Sequence, residues 1–178
     1  MIRRLLLILS LLFHVFSLLN AQDVKRHSVA LIPYPVTLVE GEGAFVFSEK
    51  TVVALEDNEL EPIARDFVEL FTEPAGFTPK LKVKSKKGEV YLMKDDSFQE
   101  EGYALEVTPE KIVVKAAGAK GTFYALQTLR QLLPSDIEGN ECKPDVIWKV
   151  PSVRVTDEPR FGYRGLMVDV ARYFITKE

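Results

Sequence analysis

The side chains in this sequence that could act on a substrate gather near its C-terminal end. Asp157-Glu158 sets two carboxylates side by side, and carboxylates in pairs are common equipment for general acid–base chemistry. Arg160 and Arg164 follow, then Asp169 and Arg172. Arg164 carries a planar head with several N–H donors, a shape that suits neighbouring hydroxyls. Asp169 interrupts the apolar run Leu166-Met167-Val168 and Val170, where burying an unpaired carboxylate is costly. It therefore needs a partner, Arg172 or a group elsewhere. The Asp157-Glu158 pair precedes Pro159 and reads as a solvated turn. Other chemistry is sparse. The histidines are His14 and His27, and the single cysteine, Cys142, sits in a loop, so neither a metal site nor an internal disulfide is expected. Lys80, Lys82 and Lys84 alternate with Leu81 and Val83, which puts three ammonium groups on one strand face. That row suits a solvated edge that resists sheet-to-sheet pairing; the other reading is a site for anionic glycans.

The patterning of the chain supplies the elements that must hold these groups. Leu31-Ile32-Pro33-Tyr34-Pro35 is extended and stiffened by proline. Residues 44–47 and 51–55 are strand candidates on either side of the polar turn Ser48-Glu49-Lys50. A helix starts at a cap, Asp57 or Asn58, with Pro62 in its first turn. Its apolar stripe is Ile63, Phe67, Leu70 and Phe71, and Thr72-Glu73-Pro74-Ala75-Gly76 ends it. Strands over 81–84 and 89–94 come next. Tyr103, Leu105 and Val107 then alternate with Ala104 and Glu106, and Thr108-Pro109-Glu110 turns the chain back into 111–116 as a hairpin. A second helix spans 119–133 with Phe123, Leu126, Leu129 and Leu133 on its buried face and Leu132 beside them; Pro134 stops it. Trp148 is expected at the domain junction. Residues 150–155 form a last strand. The run over 166–170 then reads as a strand buried on both faces, as in parallel sheets and barrels. The expected fold is α/β (α+β), a sheet covered by two helices.

The 178 residues suffice for one domain and the edge of another. Arg3 and Arg4 precede an apolar stretch over 5–19, and Ala21 offers a small residue for cleavage. Residues 1–21 therefore read as a secretory signal peptide, directing the chain to the periplasm or outside the cell, with no membrane association after cleavage. The stretch is short for a span, which needs about 18–20 apolar residues. Losing it removes two arginines and no acid, moving the net charge from −3 to −5. That balance argues against nucleic acid as a partner.

Two strings carry a resemblance to a known family. Residues 157–174, D-E-P-R-F-G-Y-R-G-L-M-V-D-V-A-R-Y-F, are similar to the segment of glycoside hydrolase family 20 β-N-acetylhexosaminidases that leads from an accessory domain into the catalytic barrel. Tyr173 stands where that family usually has His. E-G-Y-A-L-E-V and G-T-F-Y-A-L-Q-T-L-R-Q-L-L, beginning at Glu101 and Gly121, resemble the accessory domain itself. The resemblance implies an accessory domain over 22–156 and, over 157–178, the first strand of a truncated (β/α)8 TIM barrel.

It also implies the chemistry, hydrolysis of terminal N-acetylglucosamine or N-acetylgalactosamine from glycans with no metal or organic cofactor. Family 20 belongs to the substrate-assisted exceptions among glycosidases. The substrate's acetamido carbonyl attacks its own anomeric carbon, an Asp orients that group, and a neighbouring Glu protonates the leaving oxygen and then activates water. In the family this Asp-Glu pair follows a Gly-rich strand end in mid-barrel, so Asp157-Glu158 is not its counterpart. A barrel takes about 250 residues, so the catalytic pair is expected beyond Glu178 and this chain alone is expected to be inactive. Arg164 matches the arginine that hydrogen-bonds the C3 and C4 hydroxyls of the terminal sugar; the alternative is a salt bridge at the domain junction. Asp169 either lines the pocket or braces its wall, and Arg160 is assigned to the junction. A different reading is a stand-alone accessory module that binds glycans or scaffolds without catalysis, which would leave the apolar run over 166–170 uncovered.

Overall fold

The computed structural model describes residues 29–167. The expected signal segment 1–21, His27, Asp169, Arg172 and Tyr173 lie outside the described residues. The elements are β1 (Thr37–Val46), β2 (Val52–Leu55), α1 (Glu61–Glu69), α2 (Thr72–Ala75), β3 (Lys80–Val83), β4 (Val90–Lys94), β5 (Tyr103–Val107), β6 (Ile112–Ala116), α3 (Ala119–Leu132) and β7 (Lys149–Asp157). All seven strands join one sheet in the order β1-β7-β5-β6-β4-β2-β3. Pairing is antiparallel from β1 through β7 and β5 to β6, and parallel from β6 through β4 and β2 to β3. The sheet covered by helices is the architecture that the sequence led us to expect.

Register explains the core. Because side chains alternate across a strand, paired residues line up in rows on one face. One such row crosses the whole sheet: Leu38, Val155, Leu105, Val114, Leu92, Leu55 and Val83. Its five middle members are fully buried, each contributing on the order of 2 kcal/mol. Helices α1 and α3 cover this face, α3 over β5 and β6 and α1 over β2 and β3. The neighbouring row on the open face is Val39, Arg154, Glu106, Val113, Tyr91, Ala54 and Lys82.

Both helices form where the sequence signals them, with shifted faces. Asp57 caps a short 3-10 turn, its Oδ1 accepting from the Glu59 N–H at 3.1 Å, and α1 continues through Pro62. Its buried column is Ala64, Phe67 and Val68, continued past its end by Phe71, while Ile63 and Leu70 flank it. The small Ala64 lets α1 approach the sheet, which the expected stripe of large residues overlooked. In α3 the buried column is Thr122, Ala125, Leu126, Leu129 and Leu132. Phe123 lies outside it, 45% exposed, so Thr122 heads the column. Thr122 can do so because its hydroxyl donates to the Gly118 carbonyl at 2.9 Å, which satisfies the polar group inside the helix.

Trp148 is also placed differently from expectation. It is buried within the domain, its ring 6.3 Å from Phe71 in a cluster that includes Phe47 and Phe67. Phe47 and Trp148 are tied by a backbone hydrogen bond of 2.8 Å, which brings two distant stretches into one aromatic group.

The link from β3 to β4 is only residues 84–89, although β2 lies between those strands. It crosses β2 on the open face, where Gly88 lies directly on Ala54. A Cβ at Gly88 would stand 2.6 Å from the Val52 carbonyl oxygen and 2.9 Å from Ala54 Cβ. Lys80, Lys82 and Lys84 are exposed on β3 and at the start of this link, and β3 is the sheet edge. The solvated-edge reading of that row agrees with the structure.

Candidate functional site

The incoming and outgoing ends of the sheet domain meet along α3 and enclose a cleft of about 650 Å³. Leu31, Pro33 and Pro35 form one wall and Asp157 to Arg164 the other, with Phe123, Tyr124 and Gln127 of α3 between them. Polar side chains pin both walls. Gln131 accepts from the Ile32 N–H and donates to the Ile32 carbonyl, both at 3.0 Å. The primary amide thus reproduces a strand-like exchange with the backbone. On the opposite wall Asp157 Oδ1 accepts from the Val36 N–H at 3.0 Å.

The floor of the cleft carries Tyr103 and Thr128, whose hydroxyls are 2.6 Å apart and buried. Burial pushes the Tyr103 phenol up to about 12, against the Thr128 hydrogen bond and with help from the negative charge of Asp157. The phenol therefore stays neutral at ordinary pH. It is a structural hydrogen-bonding group there.

Arg164 dominates the mouth. Its guanidinium donates to Glu101 Oε2 at 2.8 Å, to the Tyr124 hydroxyl at 3.1 Å and to the Phe161 carbonyl at 2.8 Å. It also lies 5.8 Å from the centre of the Tyr124 ring, within cation–π range. The Glu101 carboxylate, then the Tyr124 hydroxyl, stabilise its charged form further. Of the two sequence readings of Arg164, the described geometry displays the ion pair with the domain. Glu101 and Tyr124 went unassigned from sequence; they lie 63 and 40 residues away from Arg164. Their one sequence cue is membership in the two accessory-domain strings.

The remaining sequence candidates are dispersed. Asp157 closes β7 and is engaged by the backbone of Val36, whereas Glu158 is exposed in the turn beyond it. Asp169 lies outside the described residues. Arg160 lines the cleft. Cys142 is a free, exposed thiol. Among the described residues no group of three or more His, Cys, Asp or Glu could hold a metal ion. Around and after Arg164 the described chain stands in solvent, with Tyr163, Leu166 and Met167 88%, 89% and 95% exposed.

The sheet domain thus holds both of its chain ends at one cleft, the outgoing one through Glu101 and Arg164 and the incoming one through Asp157 and Val36. Residues 28–158 match the family profile described as glycosyl hydrolase family 20, domain 2. The chain belongs to glycosyl hydrolase family 20. It is 33% identical over 156 residues to a β-hexosaminidase of Porphyromonas gingivalis, covering 84% of this chain and 20% of that protein. It is 31% identical to a β-N-acetylhexosaminidase of Cellulomonas fimi, covering 83% of this chain and 30% of that one. Among solved structures, N-acetyl-β-hexosaminidase of Streptomyces plicatus in complex with Thio-NAglucal superposes with a TM-score of 0.74 at 28% identity, covering 82% of this chain and 29% of that one. The chain thus spans less than a third of the length of each of these relatives.

Proposed function

We propose that this chain is the N-terminal part of an exported β-N-acetylhexosaminidase that removes terminal N-acetylglucosamine or N-acetylgalactosamine from glycans. The observation that carries the reading is the match of the whole sheet domain, 28–158, to domain 2 of family 20. The outgoing chain then places Arg164 at the mouth of the cleft. In this reading residues 157–178 begin the barrel, and residues 1–21 are the export signal. Catalysis is substrate-assisted and retaining, and the barrel supplies the Asp that orients the acetamido group and the Glu that exchanges the proton. Arg164 and Asp169 face the sugar. Arg164 then changes partner, giving up its part-exposed ion pair with Glu101, a weak interaction where solvent screens it, to donate to adjacent hydroxyls.

The stand-alone module is the weaker reading, because Phe161, Tyr163, Leu166 and Met167 form an exposed apolar run in the outgoing segment that asks for a cover. Trimming the chain after Thr156 would leave a true module no more soluble than before; our reading expects a gain.

The decisive experiment has two arms. The purified 178-residue chain should give no turnover of an aryl N-acetylglucosaminide, and measurable turnover would overturn the assignment. In an enzyme that joins this chain to its barrel, Arg164→Ala should lower kcat/KM about tenfold to a hundredfold, the scale of one charged hydrogen bond at about 1.5–3 kcal/mol. Glu101→Gln should leave it within about twofold. Equal losses from both variants would return Arg164 to a purely structural pair.

A further inference from the structure

The open face of the parallel half carries a concentration of positive charge that the cleft does not use. Lys80 and Lys82 lie on that face of β3 by register, and Lys84, Lys86 and Lys87 follow on the link that crosses β2. Lys111, just before β6, and Lys115 within it lie on the far side of Tyr91, with the Lys111 ammonium 5.3 Å from the Tyr91 ring centre.

Composition does not account for this, since the whole chain carries a net charge of −3. Of these lysines, Lys86 alone has a carboxylate within salt-bridge distance among the described residues, Glu56 at 2.9 Å. The other half of the same face differs. There Arg154 and Glu106 neutralise each other at 2.8 Å. Edge protection explains ammonium groups along β3. It does not explain Lys115 or the adjoining Lys111, because β6 is an interior strand paired on both sides. Nor does it explain the lysines of the link, which lies over β2, itself paired on both sides.

We propose that this belt, from Lys80 and Lys82 across the link to Lys111 and Lys115, docks a polyanionic glycan chain bearing sulfate or carboxylate groups. Lysine heads are point charges with freely rotating donors, which suits anionic groups spaced irregularly along a flexible polymer. Tyr91, nearly buried with Lys111 over its ring, leaves no open aromatic face on which a nucleic-acid base could stack. Same-face positions on a strand repeat about every 6.6 Å and strands lie about 4.8 Å apart, so several lysines address one extended chain at once. The choice of a glycan as the polyanion rests on the hexosaminidase reading above; the charge arrangement does not. On that reading the belt holds a long substrate away from the reaction centre.

The test uses the 178-residue chain and requires no turnover, so it stands or falls apart from the catalytic assignment. The chain is applied to immobilised heparin in about 0.15 M salt, and a dissociation constant is measured for a soluble heparin oligosaccharide. Retention is expected, with release as salt screens the attraction. The combined variant Lys80→Ser, Lys82→Ser, Lys111→Ser, Lys115→Ser should bind at least about tenfold more weakly, in line with the joint removal of several exposed ammonium groups. The control Lys143→Ser, Lys149→Ser should bind like the original. If the combined variant fails to fold, Lys82→Ser and Lys115→Ser measured singly should each weaken binding about twofold to threefold. Absence of retention, unchanged affinity in these variants, or equal affinity for single-stranded DNA or anionic lipid vesicles would overturn the proposal.

Discussion

The two halves of the sheet share one core and use their surroundings in opposite ways. In the antiparallel half, β1 and β7 bring the two ends of the domain side by side, and α3 presents Gln131, Tyr124 and Thr128 to them. Its polar side chains face inward to a cleft, and most are partnered. In the parallel half, α1 seals one face with Ala64, Phe67 and Val68, and the charge stands outside on the other face. The difference follows from connectivity. Antiparallel neighbours leave both chain ends at one place, where the continuing chain must be held. Parallel neighbours need crossovers, which cover the sheet on one face with α1 and on the other with residues 84–89.

Two glycines put that division under the heaviest load. A Cβ at Gly121 would stand 2.3 Å from the Gly102 carbonyl oxygen and 3.0 Å from Ala116 Cβ, so Gly121→Ala must lift α3 from β5 and β6. We expect a loss of about 3 kcal/mol and, by hydrogen exchange, opening at β5 with β2 still protected. Gly88→Ala should cost about 1–3 kcal/mol and open β2 instead. If either variant removes protection equally from both halves, the division has no energetic meaning.

A smaller effect belongs to Tyr103. Tyr103→Phe removes its hydrogen bond to Thr128 and should cost about 1 kcal/mol in chemical denaturation. The folded chain keeps the phenol proton up to about 12, whereas an unfolded chain releases it near pH 10. The folded pKa is the higher one, so this stabilisation is complete below about pH 10 and is lost as pH climbs towards 12. A pH series should show Tyr103→Phe flattening that alkaline decline. Tyr91→Phe, on the open face, should flatten it less, and the reverse ranking would contradict the burial assigned to the cleft floor.

The smallest change tests the pin at the chain ends. Asp157→Asn keeps one acceptor oxygen for the Val36 N–H and removes the charge, so melting should shift by under about 0.5 kcal/mol equivalent. Asp157→Ala should cost about 1 kcal/mol. Equal effects would show that the charge, not the hydrogen bond, holds the incoming segment.

What the sequence disclosed divides along the same line. The β5–β6 hairpin was readable because Tyr103, Leu105 and Val107 alternate and a proline turn comes after them. The row Lys80, Lys82 and Lys84 was readable because a two-residue period marks a strand at once. Both helices were readable from caps and spacing, although Ala64 and Thr122 were hidden as core residues because small side chains carry little hydrophobic signal. The pairing of β1 with β7 joins residues more than a hundred positions apart, such as Leu38 and Val155, and no local pattern encodes it. The six-residue link across β2 was likewise invisible, since Gly88 reads as a turn until Ala54 lies beneath it. For the site, family strings singled out Arg164, and only the fold brought Glu101 and Tyr124 to it.

One further consequence lies in the β1–β7 ladder. Its outermost pair, Thr37 with Thr156, sits where the chain enters and leaves the sheet. A pull that separates those two ends strips the pins at Ile32 and Val36 first, then this pair, and the others only in turn, as a zipper opens, instead of sharing the force along the strand. The domain should therefore yield to traction at its tethers well before its thermal stability would suggest, peeling from β1 while the parallel half keeps its fold.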